Sequence, residues 1–155
     1  MSLAIYQSGL LRDDRVATVA AARAVFRAAR LGKVNVQLTF VIDAEMRALN
    51  RRWRKKDRPT DVLSFSAWDG EAFVGGDDAF MGDLVISVET AARQSRECGH
   101  PLSAEVAVLV AHGLCHLAGL DHERGLFEAE RQLMVEMCIL DSAGLDPQSA
   151  LSGRG

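Results

Sequence analysis

The sequence predicts an α+β fold, an α/β sandwich with one small mixed β-sheet of about four strands packed with about five helices. Three observations carry this. Strand-like alternation is concentrated in the first half of the chain, helical patterns fill the second half, and a helical stretch separates the first two strands as a crossover.

Taken in order, "LAIYQ" (residues 3–7) is a short strand. Residues 14–31 form a helix, with Val16, Val19, Ala20, Phe26 and Leu31 at spacings that share one face and Gly32 as its stop. "KVNVQLTFVI" (33–42) alternates and is β-branched, hence a strand. Asp43 then caps a short helix through "AEMRALNRRW", which Pro59 cannot continue. "DVLSFS" (61–66) and "DLVISV" (83–88) are strands, and the Gly- and Asp-rich residues 67–82 between them are a hairpin loop or a flap, the hairpin being the simpler reading. Helices follow at about 89–98, 102–118 and 126–140. Residues 1–145 make a single domain, and the small, breaker-rich residues 146–155 a frayed tail.

Composition narrows the class. At 155 residues, 48% hydrophobic and 25% charged, the chain can build one real core. Its most apolar run, Val106 to Leu120, is too short for a membrane span and is broken by two histidines. No signal-peptide pattern opens the chain, and Cys98, Cys115 and Cys138 include no CxxC pair, so reduced thiols in a cytoplasm are expected. The net charge of −3 gives no global attraction to nucleic acid. Yet "RRWRKKDR" (51–58) is a concentrated basic segment on an acidic body, suited either to local attraction of a polyanion or to a solvated loop.

Chemistry concentrates in "AHGLCHLAGLDHE" (111–123), which holds His112, His116 and His122 of the four histidines. From Glu105 to Ala118 the only formally charged residue is Glu105, the pattern of an interior helix. His112 and His116, at i and i+4, share one face of it. Gly119 occupies the left-handed position that ends a helix, so the chain can reverse and return His122 toward the same point. Three imidazoles with a fourth position open to water are the ligand set of a catalytic zinc site, here on a buried helix and its following turn. The spacing matches the HExxHxxGxxH pattern of zinc peptidases except that Gly113 replaces the glutamate acting as general base. A glycine there costs about 1 kcal/mol of helix propensity, so the space its side chain would fill is needed for something else.

"HGLCHLAGLDH" (112–122) resembles the H-G-x-x-H-L-x-G-x-D-H signature of the YbeY family of bacterial rRNA maturation endoribonucleases. "LNRRWRKKDRPTDVLSF" (49–65) resembles that family's L-N-x-x-x-R-x-x-D-x-P-T-x-V-L-S-F block, and "GDLVIS" (82–87) its next strand. Leu120 departs from the tyrosine often found there, and residues beyond about Leu145 have no counterpart. The resemblance implies a zinc-dependent, single-strand-specific endoribonuclease acting in 16S rRNA 3′-end maturation and ribosome quality control. Its partners would be single-stranded RNA, the rRNA precursor and the small ribosomal subunit, with no DNA and no membrane. It implies one Zn²⁺ per chain on His112, His116 and His122, and Arg54 as the functional arginine.

In that reading Arg54 clamps non-bridging phosphate oxygens, and Arg51, Arg52, Lys55, Lys56 and Arg58 attract the RNA backbone. A surface ion pair of Arg54 with Asp57 or Asp61 is the alternative. Asp121 would orient a ligand imidazole or cap a turn. Trp53 is read as a core anchor of its helix rather than a base-stacking residue, Cys115 as a small buried hydrophobe, and His100 as a loop residue without a partner. A zinc metallopeptidase-like hydrolase and a non-catalytic rRNA-binding assembly factor remain as rival functions.

Overall fold

The computed structural model describes residues 2–67, 79–120 and 125–151, apart from the side chain of Phe127. The chain runs β1 (Ser2–Tyr6), a 3-10 segment (Ser8–Asp14), α1 (Arg15–Ala28), β2 (Val34–Val41), α2 (Asp43–Arg54), β3 (Val62–Ser66), β4 (Ala79–Ser87), α3 (Val88–Cys98), α4 (Leu102–Leu117), α5 (Leu126–Ser142) and α6 (Pro147–Leu151). The four strands form one mixed sheet of order β1-β2-β4-β3. β1, β2 and β4 are parallel, which requires crossover helices, and β3 pairs antiparallel with β4 at the edge. This is an α+β fold, as the element order predicts.

The alternation of side chains along the strands sorts them onto two faces. Val34, Val36, Leu38 and Phe40 of β2 and Leu84 and Ile86 of β4 enter the main core with α1 and α4. Val41, Leu63 and Val85 point the other way, onto Met46 of α2. α4 is apolar on nearly all sides because it is buried on nearly all sides, touching α1, α3, α5, β3 and β4. Gly119 ends it at φ +95°, with Leu120 N donating to Cys115 O and Gly119 N to His116 O at 3.0 Å each, the double closure of a Schellman cap.

Four local expectations are corrected. Residues 8–14 form two short 3-10 turns that meet at a kink at Arg12, φ +52°, and bury Leu11 ahead of α1, so the helix begins at Arg15. Asp43 is not the cap of α2. Ile42 holds the capping position in extended conformation, and the Asp43 carboxylate instead accepts from Ser87 Oγ and Thr90 Oγ1, both at 2.6 Å, and pairs with Arg93 at 2.9 Å. Burial would raise its pKa, but these hydrogen bonds outweigh that and hold it below the usual carboxylate value. The 67–82 connection does join an antiparallel pair, but β4 starts at Ala79, and residues 68–78 lie outside the described residues. Finally, residues 147–151 of the expected tail have regular structure. They form α6 and bury Ala150 in the main core, which the small side chains permit without many apolar residues.

Candidate functional site

The sheet edge assembles the site. α2 covers one face of the sheet and α4 the other, and β3 runs between their C-terminal ends. A cleft of ≈ 1190 Å³ straddles this edge, lined among others by Trp53, Arg54, Lys56 and Arg58 from the α2 side and His112 and His116 from α4. Arg54, Lys56 and Arg58 of the basic segment therefore face one volume with the helical histidines, about 60 residues on in sequence, whereas Arg51, Arg52 and Lys55 do not line it.

On α4, the Nε2 atoms of His112 and His116 stand 3.1 Å apart. His112 Nδ1 lies 2.8 Å from Glu136 Oε1, and the buried Gln132 amide donates to the same carboxylate oxygen at 2.7 Å. The Gln132 amide nitrogen also lies 3.0 Å from His112 Nδ1, and in the tautomer with the proton on Nδ1 the carboxylate accepts it and the lone pair of His112 sits on Nε2, toward His116. Two nitrogens each about 2.1 Å from a tetrahedral ion would be separated by about 3.4 Å, so the observed pair suits a shared cation. His122 and Asp121 lie outside the described residues. Glu136 and Gln132 were not anticipated. Their only trace in the sequence is a polar i, i+4 pair on a helix that also carries Glu128, Glu130, Arg131 and Asp141, without any link to His112, 20 to 24 residues earlier.

Gly113 faces the sheet. A Cβ there would lie 2.6 Å from Leu84 Cδ2 and 3.3 Å from Ser64 Oγ. The space needed is thus for the packing of α4 on β3 and β4, and a glutamate at this position has nowhere to go. Cys115 is buried as expected, its thiol pushed up to about 12 by burial and by the charge of Glu136.

Arg54 ends α2. Its Nη2 donates to the carbonyl of Ser64 on the edge strand at 2.7 Å, and its guanidinium lies 5.5 Å from the Phe65 ring centre. The ion-pair alternative fails. Asp57 is held bidentate by Arg47 at 2.8 and 3.0 Å, and Asp61 Oδ1 accepts from Val62 N at 2.7 Å. Arg51, Arg52, Lys55, Lys56 and Arg58 are all exposed. Lys55 adopts φ +57°, a left-handed turn that costs a non-glycine residue about 1–2 kcal/mol. Buried Asn50 secures that turn, its carbonyl accepting from Lys56 N at 3.3 Å and its amide donating to Arg58 O at 2.8 Å. Asn50 thus ties the backbone of the basic arm at Lys56 and Arg58.

Trp53 is no core anchor. It is 57% exposed, because α2 projects beyond the small cluster that Met46 fills. Asp83 also lines the cleft, with its carboxyl pKa raised by burial, and the sequence marked it only as part of a strand.

His100 is not a partnerless loop residue. Its Nε2 lies 2.6 Å from Oε2 of fully buried Glu105, and Gln94, with its amide nitrogen toward α4, donates to Oε1 at 2.9 Å. Cys98 joins them, so a thiol, an imidazole and a carboxylate lie within 4.8 Å of one another, a second group able to hold a metal among the described residues. It sits at the start of α4, two turns before His112, and outside the cleft lining.

Comparison with known proteins agrees with this architecture. The sequence model of a family described as Endoribonuclease YbeY matches residues 13–141. Endoribonuclease YbeY of Aquifex aeolicus is 49% identical over 112 residues, 71% of this chain and 72% of that one. Its counterpart in Pelotomaculum thermopropionicum is 46% identical over 116 residues, 74% of each chain. The solution structure of TM1509 from Thermotoga maritima shares the fold, with a TM-score of 0.55 over 90% of both chains at 22% identity.

Proposed function

The chain belongs to the endoribonuclease YbeY family, and from that premise we propose that it is a zinc-dependent, single-strand-specific endoribonuclease. Its role would be 16S rRNA 3′-end maturation and ribosome quality control, in the cytoplasm, on rRNA precursor and the small ribosomal subunit. Among the described residues no helix is long and apolar enough to cross a membrane.

One observation carries the reading: a guanidinium and two convergent imidazoles line a single cleft across the sheet edge. His112 and His116, with His122, would hold one Zn²⁺ per chain, and Asp121 would orient His122. When bound, the ion would supply Lewis acidity, either lowering the pKa of water toward neutral or polarising a phosphoryl oxygen. Glu136 fixes the His112 ring in the tautomer a ligand needs. Arg54, steered by the Ser64 carbonyl, presents its remaining N–H groups to the non-bridging oxygens, where charge grows as the phosphodiester is attacked. Arg51, Arg52, Lys55, Lys56 and Arg58 draw in the RNA backbone without regard to sequence. Gly113 speaks against the peptidase alternative, since its packing leaves no room for a glutamate base.

The test is cleavage of a single-stranded oligoribonucleotide by protein of measured metal content. Chelation should abolish cleavage and zinc restore it. His116→Ala should lose the metal, and Arg54→Ala should keep metal and fold while turnover falls about 100-fold or more. Cleavage indifferent to chelation, or unchanged in Arg54→Ala, overturns the reading.

A further inference from the structure

We propose that Trp53 and Phe65 form a nucleobase-stacking subsite on the arginine side of the cleft, holding one unpaired base of the substrate beside the histidine pair. This rests on the RNA-cleavage reading and adds to it a place for a base, where the groups above engage only the backbone.

Helical spacing puts Trp53 on the same stripe as Met46 and Asn50, the buried residues of α2. That stripe should carry the indole into the core. It does not, because the sheet beneath it ends at β3 and the helix continues past that edge. Met46 fills the small cluster with Val41, Leu63 and Val85, and Leu49 and Phe65 pack against it. The indole hangs beyond, meeting Phe65 edge-to-face with ring centres 6.2 Å apart and interplanar angle 70°. A side chain that large, mostly in water on the wall of a polar cleft, contributes little to the core and is available to a planar ligand.

Its neighbours define the ligand. Arg52 lies 5.1 Å from the indole centre and Arg54 5.5 Å from the Phe65 centre, so the two rings are interleaved with two guanidinium groups. A protein hydrophobe would find cations on both flanks. A nucleotide finds a ring for its base and positive charge for the phosphates on either side, the combination by which single strands are held without sequence preference. Bases inside a duplex have both faces covered by their neighbours. The same subsite therefore supplies a physical reason for preferring single strands.

The experiment places a single abasic residue at successive positions of a single-stranded oligoribonucleotide and compares kcat/KM in wild type, Trp53→Ala and Trp53→Phe. In wild type one position near the cut should matter, its abasic form losing between about 5- and 150-fold. In Trp53→Ala that penalty should vanish, and in Trp53→Phe most of it should remain. Trp53 fluorescence, read in a Trp68→Phe background, should be quenched by the intact strand and not by the strand abasic at that position. A full abasic penalty persisting in Trp53→Ala, or a wild type indifferent to every abasic position, overturns the subsite while leaving the nuclease reading intact. A wild type that cleaves no RNA overturns both.

Discussion

Gly113→Ala isolates the contact that ties the two halves of the site together. Alanine favours the helix by about 1 kcal/mol, so on an open face it would stabilise the protein. Here its methyl carbon would lie 2.6 Å from Leu84 Cδ2, at least about 1 Å inside the optimal carbon–carbon separation. Leu84 is fully buried in the main core, so its side chain cannot swing aside without disturbing its neighbours. Overpacking of this kind costs about 1–3 kcal/mol. Set against the helix gain, a net loss near 1 kcal/mol is expected, with a Tm lower by about 2–4 °C for a chain of this size. Scanning calorimetry measures it. Leu84→Val supplies the control, since removing the struck methyl should be less costly in the Gly113→Ala background than alone. A Gly113→Ala protein as stable as wild type, or a Leu84→Val effect identical in both backgrounds, refutes the argument.

The remaining expectations concern polar groups. Glu136→Gln keeps the volume but removes the carboxylate that fixes His112, and should weaken zinc binding about 10–100-fold in a competitive chelator titration with a much smaller change in Tm. Cys98→Ser should leave zinc content unchanged, while Glu105→Leu, which strips His100 and Gln94 of a buried acceptor, should lower the denaturant midpoint by the equivalent of about 1–3 kcal/mol. Loss of zinc in Cys98→Ser would move the metal to the second group. Asp43 has a folded pKa below its ordinary 3.8, so its stabilisation is present above that value and is lost as pH falls through the folded value. Asp43→Asn should therefore be less stable than wild type at neutral pH and converge with it in strong acid, and a constant gap between the two Tm profiles would contradict the assignment.

What could be read from sequence follows the range over which each signal acts. Alternation in β2 and the unbroken apolarity of α4 are local consequences of burial, and both elements form where expected to within a residue or two. The i, i+4 relation of His112 and His116 is equally local, and their nitrogens do converge. Glu136 was illegible because its partner lies 24 residues away across a helix–helix contact that no periodicity encodes. Asp43 and His100 failed for a related reason. Each has a conventional local role available, a cap and a loop, and each is instead drawn into a tertiary polar cluster. Trp53 shows the opposite error. Its helical stripe is right, but how far the sheet extends beneath that stripe is a property of β3.

The edge position of β3 explains more of this site than any single side chain. An edge strand leaves backbone groups for other partners, and β3 offers the Ser64 carbonyl to Arg54 from the α2 side. The same residue turns its hydroxyl to the opposite face, where it makes a long 3.4 Å contact with the carbonyl of Gly113, inside α4 and beside His112. Ser64 pairs with Leu84, the side chain that forbids a methyl at Gly113, so one rung of the sheet touches the arginine support and the histidine helix at once. Were β3 an interior strand, its backbone would be claimed on both sides and the two helices would be kept apart by another strand. A hairpin placed last in the sheet is therefore what lets chemistry from opposite faces meet in one cleft.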